Sequence, residues 1–381
     1  MCFHPNIIIQ DRDRYNTNTG KGWQIVKYIN SRNKDFKGYE YYQKFNEDPI
    51  RTCNGRFRAI RIPCQNQCIA CCEAKAKEWA TKIMLEAMKY KESYFITLTY
   101  NDKWLPVHNE MYCESLGKYY YDDGTWNSYL EYEHPKNFIR KMRDWQRNEY
   151  GINGIKIFGC GEYGGKEGRS HFHIIIMGIH IDPKDVKVHS IDTQGNVLYE
   201  CKKLEECWIP KGARRGKHEP MGFVSVAECN WQTARYVAGY VQKKNLKSDK
   251  QEQLYFWNKE AFYAQKGQTP EKCFMSTHPG IGKDFYLQNN QDMFFDGYIL
   301  IKGAKEKIVK AKIPRYYEKL LENENPDLHE CYKQRAQQKA EDNENIKMSQ
   351  TSLSIKEQLE VEEQIKRDKM LVFNLRDRAT G

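Results

Sequence analysis

A chain of 381 residues with 40% hydrophobic and 13% aromatic side chains is long enough to bury a sizeable core and too apolar to be wholly disordered. Its apolar runs are a handful of residues, as in Ile174–Met177, far short of the roughly 20 that cross a bilayer, and no charged-then-apolar leader is visible, so neither a membrane nor a secreted protein is expected. Lys and Arg number 61 against 51 Asp and Glu, a net charge of +10, and the excess is uneven: residues 318–381 hold 11 basic and 14 acidic side chains, which leaves 50 against 37 on residues 1–317. A basic body of this kind fits a polyanionic partner or, equally, a solubility charge with no ligand.

In chain order, residues 1–50 are polar and Tyr-rich without clean periodicity and read as an irregular cover. Residues 69–90 read as a helix, rich in Ala, Glu and Lys, with Trp79, Ile83 and Met84 at helical spacing. Ser93–Tyr100 is a β-rich run. Residues 102–132 suggest a long loop with a hairpin around Asp122, Asp123 and Gly124. His134–Tyr150 reads as a helix with Phe138, Met142 and Trp145 on one face. Ile155–Glu162 and His171–Gly178 form the clearest hairpin, joined by a Gly-rich turn. Residues 183–220 are polar and basic, Phe223–Ala227 is a further strand, and Trp231–Lys244 is a helix capped by Asn230 or Thr233. A charged tail after 317 reads as helical. This order predicts an α+β fold: a central antiparallel sheet with flanking helices and a helical C-terminal tail. Three segments follow from it: a cover over 1–50, a main domain over 51–317 and the tail over 318–381.

Three elements carry chemistry. In His171-Phe172-His173 the strand period puts both imidazoles on one face, a spacing that suits two nitrogen ligands on one divalent ion; solvent-facing histidines on an edge strand give the same pattern. The apolar run after them argues for a central strand, and Glu162 sits opposite across the turn as a third ligand. Such a donor set suits Mg or Mn. Tyr236 and Tyr240, at i and i+4, share a helical face with Lys243 projecting between them and Lys244 beside it. An aromatic packing stripe fits the tyrosines, but interleaved ammonium groups fit a phosphate-facing surface better. In Ile96-Thr97-Leu98-Thr99 the threonines face away from the apolar pair, as in an ordinary sheet strand.

The runs YFITLTYND, GEYGGKEGRSHFHIII and TARYVAGYVQKK, in that order, resemble the three motifs of rolling-circle replication initiators of the HUH endonuclease superfamily. The two-tyrosine helix is similar to that of the Microviridae initiators. PCQNQCIACC, MSTHPGIGKDFY and IPRYYEKLLE point to the gokushovirus-like branch. The likeness spans roughly residues 50–320. It implies an RRM/ferredoxin-like sheet in a nicking domain, His171, His173 and Glu162 as metal ligands, Tyr236 and Tyr240 as nucleophiles, and Lys243 or Lys244 as a phosphate-side cation. It further implies origin DNA in single-stranded form as substrate, a 5′-phosphotyrosine intermediate, host helicase and DNA polymerase as partners, and the bacterial cytoplasm as the place of action. The absence of any GxxxxGK[ST] phosphate loop leaves unwinding to the host.

Cys64, Cys68, Cys71 and Cys72, with Cys53 upstream, suggest either a structural zinc site or buried thiols; their spacing departs from the even gaps of the branch. Arg56, Arg58 and Arg61, and Arg214, Arg215 and Lys217, are candidate phosphate contacts or solvated faces. Two alternatives stand beside this reading: a plasmid- or transposon-type nickase or relaxase of the same chemistry, and a non-catalytic zinc-containing nucleic-acid-binding protein.

Overall fold

The computed structural model describes residues 2–11, 24–30, 37–38, 40, 56–64, 68–107, 111–113, 118–120, 128–164, 168–191, 197–243, 268–289, 292–303 and 307–379. The chain forms two compact units, one built from residues 1–75 with 337–379 and the other centred on 76–336.

In the first unit, β1 (Asn6–Asp11), β2 (Gln24–Ile29) and β3 (Phe57–Ile62) make a three-stranded antiparallel sheet in the order β2-β1-β3. Residues 1–50 are thus not simply an irregular cover. The run Asn6-Ile7-Ile8-Ile9 is a strand too short for its period to register, and β1 becomes central because β3, some fifty residues on, pairs with it. Ile7, Ile9, Ile29 and Ala59 form its small core. Helix α1 (Ile69–Ala87) starts in this unit and continues into the other.

The second unit is organised by a seven-stranded antiparallel sheet. Its strands are β4 (Ser93–Leu98), β7 (Lys156–Tyr163), β8 (Ser170–Met177), β9 (Val186–Ile191), β10 (Val197–Cys201), β11 (Val224–Glu228) and β12 (Cys273–Met275), in the order β12-β7-β8-β4-β11-β10-β9. A separate short hairpin, β5 (Met111–Cys113) with β6 (Lys118–Tyr120), lies upstream of the Asp122–Gly124 turn expected from sequence, and that turn falls outside the described residues. The polar stretch 183–220 supplies β9 and β10. Their outer face is solvated, so they lack the apolar alternation that marks β7 and β8.

Strand β8 lies between β7 and β4, as its double-sided apolar character requires. Helix α2 (Glu133–Tyr150) covers one face, burying Phe138, Met142 and Trp145 against Ile96, Leu98, Phe172, Ile174 and Ile176. After the short helix α3 (Lys202–Glu205), helix α4 (Trp231–Lys243) and the later part of α1 cover the other face, against Phe158, Cys160, Ile175 and Met177. Gly159 and Gly161 lie on the α2 side of β7. A Cβ on Gly159 would come within 2.6 Å of the Phe274 ring, and one on Gly161 within 2.8 Å of Leu130 and the Tyr132 hydroxyl. These glycines let an aromatic cluster of Tyr132, Phe172 and Phe274 close on the strand, while Cys160 and Glu162 turn the other way.

The same side is extended by α5 (Lys283–Asn289), α6 (Asp292–Asp296), the hairpin of β13 (Ile299–Lys302) and β14 (Ile308–Ala311), and α7 (Arg315–Glu324). The chain ends in two long helices, α8 (Pro326–Ser349) and α9 (Ile355–Ala379). The α+β class with flanking helices and a helical tail is therefore as expected. No helix among the described residues is long and apolar enough to cross a membrane.

Asn230 caps α4. Its Oδ1 accepts from the backbone N–H groups of Gln232 and Thr233 at 3.0 and 3.1 Å, and Thr233 Oγ1 accepts from the Asn230 N–H at 2.9 Å, a reciprocal pair of the capping-box kind. Asn230→Ala removes two acceptors from a buried helix start and is expected to cost about 1 kcal/mol, measured as the shift in urea midpoint at unchanged m-value.

Candidate active site

Glu162 stands near the end of β7 and His171 near the start of β8, and the antiparallel register pairs them directly. The strand period then brings His173 to the same face, beside Glu162. Glu162 Oε2 lies 3.2 Å from His171 Nε2 and 3.1 Å from His173 Nε2. All three side chains are largely buried, with 9%, 19% and 7% exposure for Glu162, His171 and His173, and their donor atoms fall within 4.8 Å of one another.

The other ring nitrogens are also engaged. His171 Nδ1 faces the Arg169 carbonyl at 3.2 Å, and His173 Nδ1 faces Thr97 Oγ1 at 3.0 Å. A carbonyl only accepts, so Nδ1 of His171 carries the hydrogen in that contact and the neutral ring presents its Nε2 lone pair to the carboxylate. Lone pairs aimed at a carboxylate repel unless a proton or a cation lies among them. One carboxylate oxygen and two imidazole nitrogens, each ring oriented from behind, make a donor set that fits a divalent ion.

Burial would push the Glu162 carboxyl up, but hydrogen bonds from His171 and His173 outweigh it and hold the group down at about 2. Thr97 pairs with His173 across β4 and β8, so the strand read from sequence as ordinary contributes a hydroxyl to the site. Phe95, two residues earlier on the same face, stacks on His173 with ring centroids 5.4 Å apart.

Helix α4 crosses β7 and β8 beside this cluster. The Tyr236 ring packs edge-on against His173 at 5.3 Å between centroids, and against Phe95 at 6.1 Å. Tyr240 follows one turn later in α4 and Lys243 ends the helix; their side chains, and the whole of Lys244, lie outside the described residues. The structure thus brings together Glu162, His171, His173 and Tyr236, and adds Thr97.

In the first unit, Cys2, Cys64, Cys68 and Cys71 form a second cluster, with sulfurs within 4.8 Å of one another. Cys2 Sγ is 3.7 Å from Cys68 Sγ, and Cys64 Sγ is 3.8 Å from Cys71 Sγ. Hydrogen bonding from Cys2 holds the Cys64 thiol down at about 7 and Cys68 lower still, while bonding to Cys64 pushes Cys2 up. Cys72, expected in this group, is not one of the four. Successive helical residues diverge by about 100°, so turning Cys71 toward the cluster turns Cys72 elsewhere. Cys2 takes its place; four cysteines within nine residues had left no reason to seek a distant one. Cys53 lies outside the described residues.

The basic clusters are partly committed to carboxylates. Arg56 makes a two-pronged pair with Asp11 at 2.9 and 3.0 Å, Arg61 pairs with Glu344, and Arg215 bonds Glu206 at 3.2 Å over the Trp145 ring. Arg214 and Lys217 are exposed.

The family profile described as replication-associated protein ORF2 matches residues 93–245, which run from β4 through β7 and β8 into α4 and just past its end. This stretch belongs to that family. The chain is 28% identical over 266 residues to replication-associated protein ORF2 of Spiroplasma virus 4, covering 69% of this chain and 68% of that one. It is 29% identical over 187 residues to replication-associated protein ORF4 of Chlamydia phage 1, covering 48% and 38%, and 23% identical over 272 residues to replication-associated protein VP4 of Bdellovibrio phage phiMH2K, covering 71% and 70%. The resemblance to Microviridae initiators read from the motifs is supported. No solved structure matches.

The depressed Glu162 carboxyl sets a pH dependence. Its folded value of about 2 lies below the ordinary 4.5, so its contribution to stability is complete above the ordinary value and is lost as pH falls toward the folded one. In metal-free protein the stability gap between wild type and Glu162→Gln should narrow as pH is lowered from about 5 toward 3, measured by urea unfolding. A gap that stays constant would show that the histidine hydrogen bonds do not hold the carboxyl down.

Proposed function

We propose that the protein is a metal-dependent DNA-nicking endonuclease and strand transferase of the HUH type, which initiates rolling-circle replication of a bacteriophage genome in the host cytoplasm. The observation that carries this reading is the convergence of Glu162, His171 and His173 on one sheet face with Tyr236 edge-on to His173. The family match over β4 to α4 supports it.

In this reading His171 and His173, through Nε2, and Glu162, through Oε2, hold Mg or Mn, which when bound polarises the non-bridging oxygens of the scissile phosphodiester. Thr97 and the Arg169 carbonyl keep the two imidazoles turned toward it. The Tyr236 phenol loses its proton and its oxygen attacks phosphorus. A bond forms from phosphorus to the tyrosine oxygen, and the bond from phosphorus to the 3′ oxygen breaks. The leaving 3′ oxygen takes up a proton and becomes the primer end. The phosphotyrosine keeps the energy of the cut bond, so a 3′-hydroxyl can later reverse the step and reseal the strand without ATP. Tyr240, one helical turn away, serves as the second nucleophile when a full round of synthesis regenerates the origin. Lys243 and Lys244 offset phosphate charge at the end of the same helix. Unwinding and synthesis fall to the host helicase and polymerase.

Incubation with origin-derived single strands and Mn or Mg, followed by a denaturing gel, tests this directly. Wild type should leave a covalent protein–DNA adduct; His171→Ala and His173→Ala should abolish it. Tyr236→Phe and Tyr240→Phe should each retain some adduct but release no closed circles, and the double variant should form none. An adduct formed by the double variant would remove both tyrosines from the chemistry.

The thiol cluster is read as a structural zinc site. Four sulfurs about 2.3 Å from a tetrahedral zinc stand about 3.8 Å apart, which matches the 3.7 and 3.8 Å separations. The expected result is about one zinc per purified chain, lost in Cys2→Ser and Cys68→Ser and kept in Cys72→Ser, by elemental analysis. Full zinc retention in Cys2→Ser would return the site to a set confined to residues 64–72.

A further inference from the structure

Six residues before Glu162, at the opposite end of β7, Lys156 shares the same strand face. The two positions are about 20 Å apart along the strand. Lys156 is only 7% exposed. Its ammonium donates to the Pro279 carbonyl at 2.9 Å, and among the described residues no carboxylate stands within ion-pair distance of it. Arg143 reaches the same place from α2, donating to the Ile155 carbonyl at 3.0 Å and to Ser276 Oγ at 3.4 Å. Its partners too are neutral.

These two side chains, with Lys89, Tyr90, Ser276 and His278, line a groove of about 420 Å³ in which no Asp or Glu takes part. The nearby carboxylates are already committed. Asp284 pairs with Lys89, and Glu86 accepts from the Gly282 N–H and, at 3.1 Å, from the Tyr90 hydroxyl. A buried ammonium beside a guanidinium, with only carbonyl and hydroxyl partners, is a charge arrangement that lacks its anion. The Pro279 side of the groove comes from the MSTHPGIGKDFY run, which the metal and tyrosine chemistry does not use.

We infer that this groove is a nucleotide-phosphate site separate from the metal cluster. Arg143 and Lys156 hold the phosphate, and the Tyr90 and His278 rings offer faces to the base or sugar. The volume lies in the range of small-molecule pockets, about 300–1,000 Å³, too large to be filled by inorganic phosphate alone and suited to one nucleotide unit. That unit comes either from a DNA strand running over the protein or from a free nucleotide. Binding here needs neither the divalent ion nor Tyr236.

The test is made on the full chain in EDTA, where nicking is silent and any bound zinc is monitored separately. Fluorescence anisotropy with labelled oligothymidylate reports strand binding as a function of salt; calorimetry with dTTP reports free-nucleotide binding. If the groove holds a strand phosphate, Arg143→Ala should weaken oligothymidylate binding severalfold and flatten the log–log salt slope by about 0.7, and the double variant Arg143→Ala/Lys156→Met should flatten it by about 1.4. Arg143→Lys should keep most of the slope, because the charge remains. If the groove holds a free nucleotide, dTTP binds wild type and is lost in the double variant while the oligonucleotide slope stays put. Should Lys156→Met fail to fold, Arg143→Ala with Arg143→Lys carries both arms. Folded Arg143→Ala protein that binds both probes with wild-type affinity and slope would overturn the assignment, as would wild-type dTTP binding unchanged by the variant alongside an unchanged oligonucleotide slope.

Discussion

The register between β7 and β8 is the constraint from which the candidate site follows. Side chains alternate faces along a strand, so a slip of one residue would turn both imidazoles to the α2 side and break the pairing of Glu162 with His171. The register is held from the other face. Phe172, Ile174 and Ile176 must stay under α2, and the glycines at 159 and 161 must stay under Phe274 and Tyr132. Hydrophobic burial on one side of the sheet thus aligns polar groups on the other, at no entropic cost to the polar groups themselves.

The same division of labour sets the helix that faces the cluster. Ala234, Val237 and Ala238 bury on Phe158, Cys160, Ile175 and Met177, and this fixes the rotation of α4 about its own axis. Tyr236 is carried to the side of His173 by that rotation and stays half-buried there. The small residues at 234 and 238 let the helix lie close to the sheet, and Asn230 fixes where it begins.

Much of this was legible in the sequence, and the reasons differ by element. The hairpin, α2 and α4 showed because their apolar period is long and their termini carry turn or capping residues. The HFH pair and Glu162 showed because a hairpin turns sequence distance into spatial pairing by a simple count. Thr97 was overlooked: a hydroxyl on a strand looks the same whether it faces solvent or an imidazole, and only the distant pairing of β4 with β8 decides. Cys2 was overlooked for the same reason, since its partners lie more than sixty residues on. Strands β1, β9, β10 and β12 were missed because they are short, one-sided or dependent on a partner far along the chain. The polar stretch 183–220 shows the converse error, where charge was taken for lack of structure.

The strand order β12-β7-β8-β4-β11 has a consequence for how the chain reaches this state. Only the β7–β8 hairpin is local. β4 finds its neighbours at residues 170–177 and 224–228, and β7 gains its outer partner only from residues 273–275. Contacts of such sequence separation make folding slow. On a ribosome, β4 emerges with its SYFITL run and waits for more than seventy further residues before either side is covered. An apolar, unpaired strand of that kind is an attractive target for self-association and for chaperones. The yield of soluble protein should therefore depend more on how fast the segment after β4 is made and folded than on the stability of the finished sheet.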